Sequence, residues 1–272
     1  MVKRPVGAKV QNEVVEKKSH YGVISDVRNG CSDSILQTRV QLLAETCLTF
    51  EDFDKCAIEL AKYLLGKIVV RITENGEILT GRIVETEAYP GLTDVASHSF
   101  RGRTERNQAM FMPAGTCYVY YIYGRQNCVN VSSKDEAGAV LIRAVEPIEG
   151  HSIMLKNRNK KVDASLAQSL KSIKDVSNGP AKLCQALNIT KDEFNCQPLT
   201  FSRSTETGSE ISVVPKLFMA KTEEGNIPED SIVVSTRVGI DGCGKEAAAL
   251  PLRYFIKRNF YVSVVKKTDS IG

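Results

Sequence analysis

Lys67-Ile-Val-Val-Arg-Ile-Thr-Glu-Asn-Gly-Glu-Ile-Leu-Thr-Gly-Arg-Ile-Val-Glu-Thr-Glu-Ala-Tyr89 reads as two strands and the turn between them. Runs rich in Ile and Val at 67–72 and 78–89 flank Glu74-Asn75-Gly76. Asn-Gly between strand patterns supplies the positive φ angles that a tight hairpin turn needs. Tyr89-Pro90-Gly91 ends the second strand, because proline cannot donate to a β-ladder. The same grammar recurs downstream. Strand patterns at 116–123 and 128–133 flank a turn near 124–127, and 139–145, 232–238 and 251–265 read as further strands. Upstream, Thr49 followed by Asp52 resembles a capping box. Ala57, Leu60, Ala61 and Leu64 then recur at helical spacing until Gly66. Gly179-Pro180 opens a helix to about Leu187, since proline suits a first helical turn. Residues 92–115 read as loop or short helices, 151–175 as polar and basic, and 200–230 as an irregular excursion. Strands joined by hairpins, with helices inserted, predict a mostly antiparallel α+β domain.

The 272 residues divide into about 1.8 units of average domain size, so one large domain or two small ones. Hydrophobic residues make up 42% and charged residues 25%, which is ordinary for a globular chain able to bury a core. No apolar run approaches the ~18 residues of a membrane-spanning helix. The basic start has no apolar stretch behind it, so no secretory signal is expected. Residues 1–46 lack a period and predict a disordered, mildly basic tail, in which 35–43 has the makings of a short helix. The eight cysteines form no Cys-x-x-Cys pair and sit mostly in apolar patterns, as buried reduced thiols do. With three scattered histidines they give no zinc site. Lysine plus arginine exceeds the acids by four, which permits a nucleic-acid partner without demanding one.

Four groups of residues carry candidate chemistry. By strand alternation Ile83, Glu85, Glu87 and Tyr89 share one face. Two carboxylates and a phenol at a strand end suit a general base in a pocket, although they also fit the solvated face of an edge strand. In Tyr118-Val-Tyr-Tyr-Ile-Tyr123, four of the nine tyrosines fall within six residues. Tyr118 and Tyr120 point one way, Tyr121 and Tyr123 the other. Inward tyrosines suit stacking on a base, and Tyr123 beside the turn is placed to wedge into a base stack. A tyrosine-rich sheet would look the same. Arg101, Arg103 and Arg106, with Arg125 in the hairpin turn, fit phosphate contacts or a solvated charge cluster. Lys182 lies in the first turn of a helix, where the macrodipole disfavours a cation. An anion bound there, or plain solvation, would relieve the conflict. His98 is a lone loop histidine. No lysine occurs between Lys67 and Lys134, so a Schiff-base amine would have to come from elsewhere. Phosphate-loop, dinucleotide and serine-hydrolase fingerprints are absent.

From about Leu48 to Lys267 the chain resembles the alkyladenine (eukaryotic-type 3-methyladenine) DNA glycosylases. The resemblance rests on Arg82-Ile-Val-Glu-Thr-Glu-Ala-Tyr89, Arg106-Asn-Gln-Ala-Met-Phe-Met112, Tyr118-Val-Tyr-Tyr-Ile-Tyr-Gly124, Asn130-Val-Ser-Ser133, Leu141-Ile-Arg-Ala-Val-Glu-Pro147, Gly179-Pro-Ala-Lys-Leu-Cys-Gln-Ala-Leu187 and Arg237-Val-Gly239, in that order. Outside these pieces the tail, 155–175 and 200–230 differ in length and composition. The expected architecture is a single domain at 47–268, a curved, mostly antiparallel sheet with surrounding helices and a protruding β-hairpin, followed by a short tail at 269–272.

The resemblance implies an enzyme that flips a damaged purine out of duplex DNA and hydrolyses its N-glycosidic bond. By position Glu87 matches the water-activating base, and Arg143 the arginine that helps place the water. Tyr89, His98 and Tyr120 match the residues that hold the flipped base. Asn130 matches the residue that screens an exocyclic 2-amino group, and Tyr123 the aromatic inserted into the gap. Arg103, Arg125 and Lys182 fall where DNA contacts are expected. Double-stranded DNA bearing damaged purines is thus the expected partner of a monomer working in the nucleus, with no cofactor, no metal and no membrane. The alternatives are a non-catalytic module for distorted DNA and an RNA-binding tyrosine sheet.

Overall fold

The computed structural model describes residues 33–158, 174–200, 202–204, 211–213, 215–266 and 269. The expected tail falls outside it up to residue 32, as do much of 155–175 and part of 200–230. Three helices lead in: α1 (Asp33–Glu45), α2 (Phe50–Phe53) and α3 (Ala57–Leu64). The capping pair forms, with the Thr49 N–H donating to the Asp52 carboxylate at 2.9 Å. It starts only the short α2. The chain breaks at Asp54-Lys55-Cys56 and restarts as α3, whose Ala57 N–H is capped from afar by Asp135 at 2.6 Å. The single helix expected over this stretch is therefore two. Helix α1 lays Val40 and Leu43 on a small core with Cys47, Val70 and Phe218, and pairs Arg39 with Glu149. Ordered packing thus begins before Leu48.

The main sheet is antiparallel throughout its described pairs. β1 (Ile68–Ile72) and β2 (Ile78–Tyr89) form the expected hairpin, with Ile72 opposite Ile78. β3 (Cys117–Ile122) and β4 (Gln126–Ser132) form the second, and β5 (Ala139–Glu149) lies beside both β4 and β2. Helices α4 (His151–Asn157), α5 (Pro180–Ala186) and α6 (Lys191–Phe194) follow, then a separate two-stranded pair, β6 (Ser202–Ser204) and β7 (Ile211–Val213). β8 (Leu217–Ala220) borders β1. It lies inside the stretch expected to be irregular, because a four-residue apolar run between polar flanks gives little pattern to read. β9 (Ile232–Ser235), helix α7 (Lys245–Ala249) and β10 (Arg253–Ile256) complete the order. The last two strands are shorter than expected. Thr236–Val238 leave the ladder to serve side chains, and Arg258 takes φ 60°, which turns the chain out of β10.

One side of β2 forks. β1 pairs with its first half and β10 with Glu85–Glu87, while β5 runs along the other side. The register against β5 slips on both sides of Glu85. Ahead of the slip, odd-numbered Leu79 and Ile83 enter the main core; beyond it, even-numbered Ala88 does. Thr86 on that side donates to the Ala61 carbonyl of α3 at 2.8 Å. Ile83 therefore does not share a face with Glu85, Glu87 and Tyr89, as uninterrupted alternation requires. The bulge swings the carboxylates to the side away from the core, the re-aiming that bulges beside functional sites perform.

Candidate active site

The carboxylates at the fork have different surroundings, although both are fully buried. Glu85 Oε1 accepts from Arg143 Nε, Arg253 Nη1 and the Ser263 hydroxyl, each at 2.9 Å. Its Oε2 accepts from the Ser263 N–H at 2.6 Å. Glu87 is less crowded. Oε1 accepts from the Val238 N–H at 2.7 Å and lies 3.2 Å from Arg143 Nη1; Oε2 accepts from the Tyr89 hydroxyl at 2.9 Å. A carboxylate offers about four lone-pair positions, so the three donors that the described residues supply leave Glu87 capacity for one more. Burial pulls the Arg143 guanidinium down, but Glu87 and Glu85 outweigh it and carry it above its ordinary range. Arg143 is thus a fixed cation that joins both acids.

Tyr89 is locked from behind. Gly91 has φ 76° and passes so close to the 136–138 turn that a Cβ there would lie 2.1 Å from the Glu136 carbonyl oxygen. That tight turn delivers buried Asp94 to buried Arg237, which binds it through both terminal nitrogens and donates to the Ala88 carbonyl at 3.2 Å. The Arg237 guanidinium stacks 4.7 Å from the Tyr89 ring centre. Burial and then Glu87 push the Tyr89 phenol well up, so it remains a neutral donor to Glu87.

A second aromatic set comes from β3 and the 91–107 loop. Cys117 and Val119 enter the core, so Tyr118 and Tyr120 take the other face. The His98 ring meets Tyr120 edge-on with centres 4.5 Å apart, and its Nδ1 lies 2.9 Å from the Tyr118 hydroxyl. The Asn107 amide holds the His98 carbonyl at 2.9 Å. Burial, with Arg106 nearby, lowers the His98 pKa to about 4, so the ring is a neutral aromatic at pH 7. Burial raises the Tyr120 phenol, so it stays neutral. Arg106 sits 5.5 Å from the Tyr120 ring centre. On β4, Asn130 is buried and donates to the Tyr118 carbonyl at 3.0 Å.

The β3–β4 turn presents Tyr123, which is 94% exposed. Tyr123, Gly124 and Arg125 have φ of 39°, 71° and 87°. Consecutive left-handed residues cost free energy outside glycine. Here they hold a large aromatic out in water rather than folding it back. Arg101, Arg103 and Arg125 are exposed as well.

The structure thus joins Glu87, Tyr89 and Arg143 by direct contacts and sets His98, Tyr120 and Asn130 around Tyr118. Tyr123, Arg125 and Arg103 stand apart from that cluster. Lys182 does not wait for an outside anion: its ammonium pairs with Asp175 at 3.1 Å and with the Asn178 side chain at 2.8 Å. Sequence reasoning missed Asp94, Arg237 as its partner, the Val238 N–H, Arg253 and Ser263. Arg237-Val-Gly239 stood out as a motif, but its partner lies 143 residues away. Among the described residues no three His, Cys, Asp or Glu side chains gather to hold a metal, and no helix is long and apolar enough to cross a membrane.

The family described as methylpurine-DNA glycosylase matches residues 51–260. A probable DNA-3-methyladenine glycosylase of Encephalitozoon cuniculi is 42% identical over 212 residues, 78% of this chain and 90% of its own length. The DNA-3-methyladenine glycosylase of Homo sapiens is 40% identical over 225 residues, 82% of this chain and 70% of its own. A putative 3-methyladenine DNA glycosylase of Clostridium perfringens is 43% identical over 215 residues, 78% and 96% of the two chains.

Proposed function

The chain belongs to the methylpurine-DNA glycosylase family, and on that premise we propose that residues 47–268 flip a damaged purine out of duplex DNA and hydrolyse its N-glycosidic bond at Glu87. It is a DNA glycosylase of base-excision repair. The observation that carries the assignment is a fully buried carboxylate aimed by Arg143, Val238 and Tyr89, with a fourth acceptor position beyond the three donors that the described residues supply. A water donating to that position loses its proton to Glu87 as its oxygen attacks C1′. The bond from C1′ to the base breaks, and the base leaves with the electron pair. The anionic carboxylate also faces the oxocarbenium-like centre, as in sugar hydrolysis.

Tyr89 on one side, with His98 and Tyr120 on the other, form the slot for the flipped base. Aromatic faces attract the positive charge of bases such as 3-methyladenine or 7-methylguanine. Hypoxanthine and ethenoadenine are neutral and need a proton at the leaving base. Asn130, fixed beside the slot, screens a 2-amino group. Arg103, Arg125 and Lys182 contact the DNA backbone, and Lys182 must exchange its internal partners to do so. The unit acts as a monomer, and its eukaryotic relatives favour a nuclear site of action. The direct test is purified chain incubated with a duplex bearing one hypoxanthine, followed by alkali. A strand break only at the lesion is expected. Tight binding without base release would identify a recognition module instead, and a preference for single-stranded RNA would overturn the assignment.

Tyr123 fills the gap left by the flipped nucleotide. Base–aromatic stacking is worth ~1–3 kcal/mol, so Tyr123→Ser should slow single-turnover excision of a well-paired lesion roughly tenfold or more. The loss should shrink when the lesion sits opposite a mismatch, because that base is already loosely held. Rates within twofold of the parent on both duplexes would leave Tyr123 no wedge role.

The abasic strand should be released intact. A lyase needs a free amine at C1′, whereas the Lys266 ammonium, which lies against the Val238 segment, is bound to Thr236 and to the Arg237 carbonyl. Borohydride should trap no protein–DNA adduct; a trapped adduct would refute hydrolysis by water alone.

A further inference from the structure

We propose that the segment from Ser263 to Lys266, bonded to Asp269, is a strap that positions the catalytic carboxylate, with Ser263 and Lys266 as its positioning residues. The proposal rests on Glu87 being the water-activating base. Apart from the Tyr89 hydroxyl, Glu87 is held by Arg143 Nη1 and by the Val238 N–H. Both holders are themselves fixed by the strap.

The Arg143 fork has three nitrogens to assign. Nε goes to Glu85 at 2.9 Å and Nη2 to the Ser263 hydroxyl oxygen at 3.3 Å, which leaves Nη1 aimed at Glu87. Ser263 also donates to Glu85 through its hydroxyl and its N–H. It therefore fixes the guanidinium directly and also fixes the acid that orients it. On the second holder, the Lys266 ammonium donates to the Thr236 hydroxyl and carbonyl and reaches the Arg237 carbonyl at 3.5 Å. That carbonyl belongs to the peptide group whose N–H binds Glu87, so Lys266 sets the plane in which that N–H points.

Asp269 closes the loop. Its Oδ2 accepts from Arg253 Nη2 at 2.9 Å and from the Lys266 N–H at 2.8 Å, and its Oδ1 accepts from the Ser235 hydroxyl at 2.6 Å. Arg253 in turn donates to the Val264 carbonyl at 2.8 Å. The strap is thus held at Ser263, Val264 and Lys266: the Ser263 and Lys266 bonds fall on Arg143 and on the Arg237 carbonyl, while Val264 and Asp269 hold Arg253, which pairs with Glu85. Of the slot residues, His98, Tyr120 and Asn130 come from other elements and only Tyr89 neighbours the groups the strap holds, so the strap bears on the chemical step more than on binding of the base.

The experiment compares the full chain with Ser263→Ala, Ser263→Thr, Lys266→Met and Lys266→Arg. Single-turnover excision of hypoxanthine gives the chemical rate, and binding to a duplex holding an uncleavable abasic analogue gives affinity. A lost hydrogen bond to a charged group misdirects Arg143, so Ser263→Ala should excise roughly tenfold more slowly. Its affinity should stay within about twofold of the parent, and Ser263→Thr, which keeps the hydroxyl, should recover most of the rate. Lys266→Met should show the same split, with recovery in Lys266→Arg. Equal losses of affinity and rate, or no rescue by the conservative variants, would reduce the strap to ordinary structure and overturn the proposal. So would parental rates in both Ser263→Ala and Lys266→Met. If Ser263→Ala fails to fold, the Lys266 pair decides alone. An active Glu87→Gln enzyme would instead remove the base assignment itself, which is a separate and distinguishable failure.

Discussion

Glu87→Gln should bind a hypoxanthine duplex as tightly as the parent and release the base roughly a hundred- to ten-thousandfold more slowly, the range a positioned proton acceptor contributes. The substitution is nearly isosteric. Its amide oxygen can still accept from the Val238 N–H and face Arg143, so the strand end and the slot should keep their geometry. What disappears is the proton acceptor on the Tyr89 side and the negative charge opposite the developing cation. Tyr89 cannot substitute, because burial and Glu87 hold its phenol well above its ordinary range. Glu85 cannot either, since its two oxygens already receive four donors. Single-turnover excision measured beside equilibrium binding decides the matter. Near-parental excision by Glu87→Gln would remove Glu87 from the chemistry.

How much of this was legible depends on the range of the interaction involved. Asn75-Gly76 announced the β1–β2 hairpin, and the tyrosine run with its turn announced the β3–β4 hairpin with Tyr123 at its tip, because both signals are local. The pairing of Glu87 with Tyr89 was legible too, since alternation holds across two residues. Alternation failed over the longer interval from Ile83, because a bulge costs one residue of register and leaves no reliable residue signature. β8 was missed for a related reason: four residues gain strand character only from β1 beside them. The supports of the site were out of reach. Arg237 finds Asp94 across 143 residues and Ser263 finds Glu85 across 178, and nothing in either neighbourhood names its partner. The resemblance to known glycosylases named the residues that would meet the base. It did not supply the ion-pair frame behind them, which only the assembled fold displays.

That frame sets the largest expected stability effect. Glu85→Gln should lower the melting temperature by roughly 6–20 °C. The side chain is fully buried and compensates parts of two buried guanidiniums, Arg143 and Arg253. Removing one partner from a buried ion pair costs about 3–5 kcal/mol, because the remaining charge has no solvent to relax into. A chain of this size loses about 2–4 °C per kcal/mol. The amide makes matters worse: one of its two ends is an NH2 group, and the groups that bond Glu85 are all donors. Arg253 keeps Asp269 and Arg143 keeps Glu87, so neither cation is abandoned outright, which places the loss below complete unfolding. Excision per folded molecule should fall far less than in Glu87→Gln, since Glu85 reaches the chemistry only through Arg143. Two carboxylates one residue apart on the same strand face therefore predict different phenotypes, one defined by lost chemistry, the other by lost stability with partial activity. Thermal unfolding of both variants, with excision corrected for the folded fraction, separates them. A Glu85→Gln protein melting within about 2 °C of the parent would show that Arg143 and Arg253 are compensated elsewhere, and the ion-pair frame would lose its central member.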